Sequence, residues 1–289
     1  MSIIISKPNK ISYNTSKTFR PIILLNMLSK LIEKVVGKRL QFQALSNNSI
    51  HPCQLEGLKQ QFTTNTGIFL TYLIHLGWIK NCSTSMLVFN ITQFFPSLDH
   101  QMLPFILDKL EFDPRVSCFF SNYLIGRKTQ YLWNKFSSPF FDVNIGVGQD
   151  SALSPILSAL YLSLVFHIFE KRLKNLKNPV SFISFVDNGL LISQDKSFEI
   201  SNANIFCSYY VISLLLDHFR LVIKQGKTEV FYFSRTQGTF NSLPLNLSIL
   251  RGPVLWPKET WQYLRFILDR KLSFHYHIDF YTNKAILKA

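Results

Sequence analysis

A paired apolar pattern lies at residues 179–194, PVSFISFVDNGLLISQ, where two β-prone runs, Val180–Val186 and Leu190–Ser193, flank a polar turn, Asp187-Asn188-Gly189. Asn-Gly between such runs predicts a hairpin, because both central residues of a tight turn must tolerate positive φ. Taken alone, the stretch reads as a surface hairpin. Phe182, Ile183, Phe185 and Val186 are nevertheless too apolar for an exposed ribbon. The hairpin is therefore expected in a core, with Asp187 displayed at its tip from a rigid base. A second apolar strand, MLVFNI at 86–91, is continuous rather than alternating, the pattern of a strand covered on both faces. It ends at Asn90, and Phe94-Phe95-Pro96 follow.

Helical periodicity begins after Pro21, with Leu24, Leu28, Leu31 and Val35 along one stripe and Lys30, Lys34, Lys38 and Arg39 off it. This predicts an amphipathic helix with the apolar stripe inward and a basic outer face, either solvated or in contact with phosphate. Upstream, residues 1–20 carry Lys7, Lys10, Lys17 and Arg20 with no acidic residue, as a loop or short hairpin. Thr66–Ile79 reads as a buried helix. Asp113-Pro114 supplies an N-cap and an N1 proline, and Ser154-Pro155 does the same for a helix running to about Leu173. Strands are expected at Thr129–Trp133, Phe140–Val147, Glu229–Ser234 and Trp261–Leu268, a helix at Ser201–Phe219, and a loop over 236–259. Helices and strands mix without strict βαβ alternation, which points to an α+β fold around an antiparallel sheet.

Composition narrows the function. The 289 residues are 47% hydrophobic and 15% aromatic, enough for a large core in one domain or two lobes. A net charge of +14, from 31 basic and 17 acidic residues, favours polyanions, nucleic acid before an acidic membrane surface. Cys53, Cys82, Cys118 and Cys207 form no C-x-x-C pair, so buried free thiols in a reducing compartment are expected. The start, MSIIISKPNK, is too short in apolar residues for a signal peptide. Gly67–Ile79 and Ile156–Phe169 are too short to span a bilayer, so an intracellular protein, cytoplasmic or nuclear, with no membrane partner is expected.

The ordered motifs resemble reverse transcriptases of non-LTR (LINE-type) retrotransposons, most closely fungal ones, over nearly the whole chain. FRPIILLNMLSKLIEKVVGKRL resembles the first fingers block, which implies that Arg20, with Lys7 upstream, contacts the triphosphate. GLKQQFTTNTG resembles the second, with Gln61 and Asn65 where the family usually has Arg and Asp. LVFNITQFFPSL resembles motif A, with Asn90 at the catalytic aspartate and Phe95 at the aromatic gate against a ribose 2′-OH. GVGQDSALSP resembles motif B, implying that Gln149 lies against nucleotide and template, with Asp150 in place of glycine. FVDN resembles motif C, with Asp187 kept and Asn188 replacing the second aspartate. GKTEVFYFSR resembles motif D, whose Lys227 would protonate the leaving pyrophosphate. WQYLRFILDRKLSF resembles motif E, the primer-gripping hairpin, with Arg265 in place of glycine, and Arg251 falls where related elements tend to have glycine.

The resemblance implies a right-hand polymerase of fingers (approximately 1–84 and 112–147), palm (approximately 85–111 and 148–259) and the start of motif E and the thumb connection (260–289). A central antiparallel palm sheet packs on helices and the thumb is missing. Two Mg²⁺ ions, an RNA template, a DNA primer and deoxynucleoside triphosphates follow, with no protein partner indicated. The metal positions fall on Asp187, Asn90 and Ile91. Hard Mg²⁺ is held by carboxylate and phosphate oxygens, one ion activating the primer hydroxyl and the other steadying the triphosphate. Asn90 offers a neutral amide, and Asn188 removes a further negative charge nearby. The expectation is a degenerate, truncated reverse transcriptase without activity. It could be a non-catalytic basic nucleic-acid-binding unit or a relic of the element.

Overall fold

The structure is a computed structural model and describes residues 1–8, 11–55, 63–148, 151–176, 179–235, 243–248 and 252–286. The chain divides into two compact units. The first comprises Met1–Leu58, Gln93–His167 and His218–Leu221, and the second Lys59–Thr92, Ile168–Asp217 and Val222–Ala289.

In the first unit, β1 (Ser2–Ser6) and β2 (Phe19–Ile23) form an antiparallel hairpin. β1 also pairs in parallel with β4 (Lys128–Trp133), which pairs antiparallel with β5 (Phe136–Asp142), giving the order β2-β1-β4-β5. The strand expected at Phe140–Val147 therefore begins earlier and ends at Asp142. Helix α1 (Met27–Ser46) starts at Met27 rather than after Pro21, which lies in β2; Asn26 caps it by accepting from the Ser29 amide at 2.7 Å. Helices α3 (Phe94–Ser97), α4 (Met102–Lys109) and α5 (Pro114–Leu124) follow. α5 has the expected cap, with Asp113 accepting from the Arg115 amide and proline at N1. Helix α6 (Ser154–Asn175) contributes its residues up to His167 to this unit.

The orientation of α1 is a correction. Its expected core stripe faces outward, with Leu28, Leu31 and Val35 at 67%, 59% and 46% exposed, while Glu33, Gly37, Leu40 and Ala44 are buried. One local fact explains the inversion. Glu33 can be buried because its carboxylate accepts from the Tyr123 hydroxyl, from Ser151 Oγ at 2.7 Å and from the Ala152 amide at 3.2 Å.

The second unit is built on a four-stranded antiparallel sheet of β3 (Ser83–Asn90), β6 (Val180–Phe185), β7 (Asn188–Asp195) and β8 (Glu229–Phe233), in the order β6-β7-β3-β8. Met86, Leu87, Val88 and Phe89 of β3 are all buried, as its unbroken apolar run requires. Helices α2 (Thr63–Ile79) and α7 (Phe198–His218, up to Asp217 in this unit) bury Leu70, Ile74, Ile205 and Ile212. The region 236–259 contains a short pair, β9 (Leu245–Asn246) with β10 (Val254–Leu255). Trp261–Leu268 is not one strand but a hairpin, β11 (Thr260–Tyr263) and β12 (Phe266–Asp269), followed by α8 (His275–Ile286). Its turn puts Leu264 and Arg265 at φ +47° and +74°, a conformation that sequence pattern assigns to glycine or asparagine rather than to these residues.

The architecture is α+β around an antiparallel sheet in the second unit, as expected, with a mixed sheet in the first. Cys118 is exposed and the other three cysteines are half-exposed, so the four are outside any disulfide but not buried as expected. Among the described residues no helix is long and apolar enough to cross a membrane.

Candidate active site

The expected catalytic residues meet at one end of the second unit's sheet. In the β3–β7 register Asn90 stands directly opposite Asn188, and in the β6–β7 register Phe185 pairs with Asn188. The turn is therefore Val186-Asp187, not the expected 187–189, and Asn188-Gly189 belongs to β7. The shift has a packing cause. A Cβ on Gly189 would lie 2.3 Å from the Phe89 ring, so glycine serves the close approach of β3's buried aromatic rather than the turn. Positive φ falls instead on Val186, at +54°, a strained conformation for a β-branched residue.

Backbone bonds fix this end of the sheet. The Ile91 amide donates to the Asp187 carbonyl at 2.7 Å, the Lys224 amide to the Asn90 carbonyl at 2.7 Å, and the Thr92 amide to the Val222 carbonyl at 2.7 Å. A short 3₁₀ turn, Gln225–Lys227, follows and leaves Lys224 and Lys227 exposed. The Ile91 side chain is buried in the core.

The three polar side chains form a chain of hydrogen bonds. Asn90 Nδ2 donates to Asn188 Oδ1, and Asn188 Nδ2 donates to Asp187 Oδ1 at 3.2 Å. Burial pushes the Asp187 carboxyl above the usual carboxylate range. Its own backbone amide, the charge of Lys227, a hydrogen bond from Asn90 and the charge of Lys224 oppose that rise.

This donor set does not fit a pair of divalent cations. Asp187 is the single carboxylate of the three, and the amides of Asn90 and Asn188 direct N–H donors where a cation requires oxygen. Among the described residues no group of three or more His, Cys, Asp or Glu side chains could hold a metal ion.

The expected nucleotide-contacting residues lie in the first unit. Lys7 and Arg20 sit on one hairpin, where Arg20 pairs with Ile5 and the Lys7 amide donates to the Thr18 carbonyl; Arg20 is exposed and Lys7 half-buried. Phe95, in α3, is half-buried beside Phe94 at a ring separation of 5.5 Å. Gln149, with Gln61, Asp150 and Arg251, lies outside the described residues.

Two residues escaped the sequence reading. Glu33 was signalled only by being the one acid on a helix of cations. Lys224 was signalled by standing three residues before Lys227 on the same turn.

The chain matches the family model for reverse transcriptase (RNA-dependent DNA polymerase) over residues 5–268. It belongs to that family. Family members use divalent metal ions for nucleotidyl transfer. Among solved structures it is similar to three of telomerase, from two Candida species. Apo telomerase from Candida tropicalis truncated from its C-terminal domain aligns at TM-score 0.58 and 12% identity, over 89% of this chain and 52% of that one. Telomerase from Candida albicans in complex with a TWJ fragment of telomeric RNA aligns at 0.56 and 13%, over 86% and 37%. The corresponding Candida tropicalis complex aligns at 0.53 and 13%, over 75% and 35%. The likeness is one of fold, and the chain spans about a third to a half of the length of these telomerases. No curated protein sequence matches it.

Proposed function

We propose that this chain is a polymerase domain of non-LTR retrotransposon descent that no longer transfers nucleotides but still binds an RNA template or RNA–DNA hybrid. The observation that carries this reading is the hydrogen-bonded set Asn90–Asn188–Asp187, at the position that the motif resemblance assigns to the family's metals. Fingers fall at about 1–84 and 112–147, palm at about 85–111 and 148–259, and motif E with the start of a thumb connection at 260–289. Lys7 and Arg20 are then triphosphate contacts, Phe95 the sugar gate, Gln149 a nucleotide and template contact, and Lys227 the residue beside the leaving group.

Loss of one preorganised electrostatic group costs about 10²–10³ in rate, and loss of a cation ligand adds reduced occupancy to that. Unmodified protein is therefore expected to give no primer extension on an RNA template with Mg²⁺. Asn90→Asp is the most effective single restoration, and Asn188→Asp alone does little. Hybrid binding rests on the +14 charge and is expected at a dissociation constant of about 10⁻⁴–10⁻⁶ M near physiological salt, weakening steeply as salt rises. Extension by the unmodified chain would overturn the inactive assignment, and salt-insensitive binding, or none, would overturn the retained partner.

A further inference from the structure

We propose that the outer face of α1 docks an acidic amphipathic helix of a protein partner. The face is an apolar seam, broken at Lys38, that nothing in the described chain covers. Leu28, Val35 and Phe42 recur at seven-residue spacing, and Leu31 and Leu45 fall on the interleaved set; Phe42 and Leu45 are 72% and 52% exposed. A stripe of this period is what one helix offers to another along its length, knobs meeting holes every 3.5 residues. An exposed contiguous apolar strip on a folded helix marks a contact surface.

Charge selects the occupant. Lys34 and Arg39 flank the seam and Lys38 interrupts it at the position between Leu31 and Leu45, all exposed. The one acid of α1, Glu33, is buried and engaged by Tyr123, Ser151 and Ala152. The surface is thus apolar along its centre apart from Lys38, and every exposed charge on it is cationic. A second copy of the chain is a poor occupant. Parallel pairing would set Lys34 of one helix against Arg39 of the other, and antiparallel pairing would set each against itself. Nucleic-acid phosphates would satisfy the cations but leave Leu28, Leu31, Val35 and Phe42 in water. A bilayer would bury Lys38 among acyl chains, and α1 carries no Trp or Tyr to anchor at an interface. A partner helix with leucines in the same repeat, Glu at its flanks and an acid opposite Lys38 satisfies every group.

The test uses the full chain and two labelled designed peptides. Both carry the same leucine heptads with one Glu placed to meet Lys38; the flanks are all Glu in one and all Lys in the other. Fluorescence anisotropy is expected to show the Glu-flanked peptide binding at least about ten-fold more tightly. The double variant Lys34→Glu/Arg39→Glu should invert that preference. The variant Leu31→Ser/Val35→Ser should lose about ten-fold in affinity with an unchanged melting temperature, because both side chains are already exposed. No binding of the Glu-flanked peptide, or equal binding of both peptides, would overturn the proposal. So would displacement of the peptide by an RNA–DNA hybrid or by phosphatidylserine vesicles, if the binding of that competitor is itself lost in Leu31→Ser/Val35→Ser.

Discussion

Replacing Glu33 with alanine is expected to destabilise the first unit by about 3 kcal/mol, a large effect for a polar position on a helix otherwise lined with exposed leucines. The side chain is 1% exposed and holds three donors: the Tyr123 hydroxyl on one oxygen, and Ser151 Oγ and the Ala152 amide on the other. Hydrogen bonds to a charged group contribute about 1.5–3 kcal/mol each, and an orphaned buried donor costs about 1–3 kcal/mol. Desolvation of the carboxylate offsets part of the gain. The three donors are not deeply buried, since Tyr123 and Ser151 are half-buried and Ala152 is exposed, so water can reach them once the carboxylate is gone. The low end of the range therefore applies, about 1 kcal/mol per donor. Tyr123→Phe and Ser151→Ala should each cost about 1 kcal/mol by the same reasoning. Their costs should shrink toward zero in the Glu33→Ala background, because the shared acceptor is already missing. Urea denaturation at neutral pH, with the slope checked for constancy, measures all of these. A loss below about 0.5 kcal/mol for Glu33→Ala, or Tyr123→Phe costing the same in both backgrounds, would show that the buried carboxylate is not what holds α1 to α5 and the start of α6.

Gly189→Ala should cost about 1–3 kcal/mol by driving a methyl into the Phe89 ring, and Phe89→Leu in the same chain should recover part of it; additive costs in a denaturation series would refute the clash. Arg265→Gly should raise stability by about 1 kcal/mol, because it releases a side chain held at φ +74°; a lower melting temperature would show that Arg265 makes a contact outweighing the strain. Asp269 accepts from the Lys271, Ser273 and Phe274 amides and from the Ser273 hydroxyl. Burial alone would push its carboxyl up, but these bonds outweigh burial and hold it below the ordinary range. Its contribution is present above the unfolded carboxylate pKa and fades as pH falls through the folded one. Asp269→Asn should therefore cost about 1–2 kcal/mol at neutral pH, with the difference closing below about pH 4, and a pH-independent difference would count against the capping role.

What the sequence made legible were the features carried by strong local rules. An unbroken apolar strand, a capped proline start and the ordered motifs lead to the right sheet and bring Asn90 beside Asp187 and Asn188. What it hid were features decided by distant partners. The Asn-Gly rule placed the turn two residues late because it cannot know that Phe89 needs the space at Gly189. Helical periodicity located α1 but reversed its faces, since a leucine stripe fits a chain's own core and another chain's surface equally well. A buried glutamate looks wrong until Tyr123 and Ser151 are known to meet it.

The facing asparagines also constrain how this chain could change. Codons for asparagine and aspartate differ by a single base, so each of positions 90 and 188 is one point mutation from a carboxylate. Because the two side chains confront each other across neighbouring strands, the steps are unequal. A first carboxylate meets an amide that can donate to it. The second meets a like charge directly opposite, with Asp187 adjacent, and cross-strand pairs of that kind repel. Unless a divalent cation offsets that repulsion, the neutral pair is therefore easy to leave by one substitution and hard to leave by two.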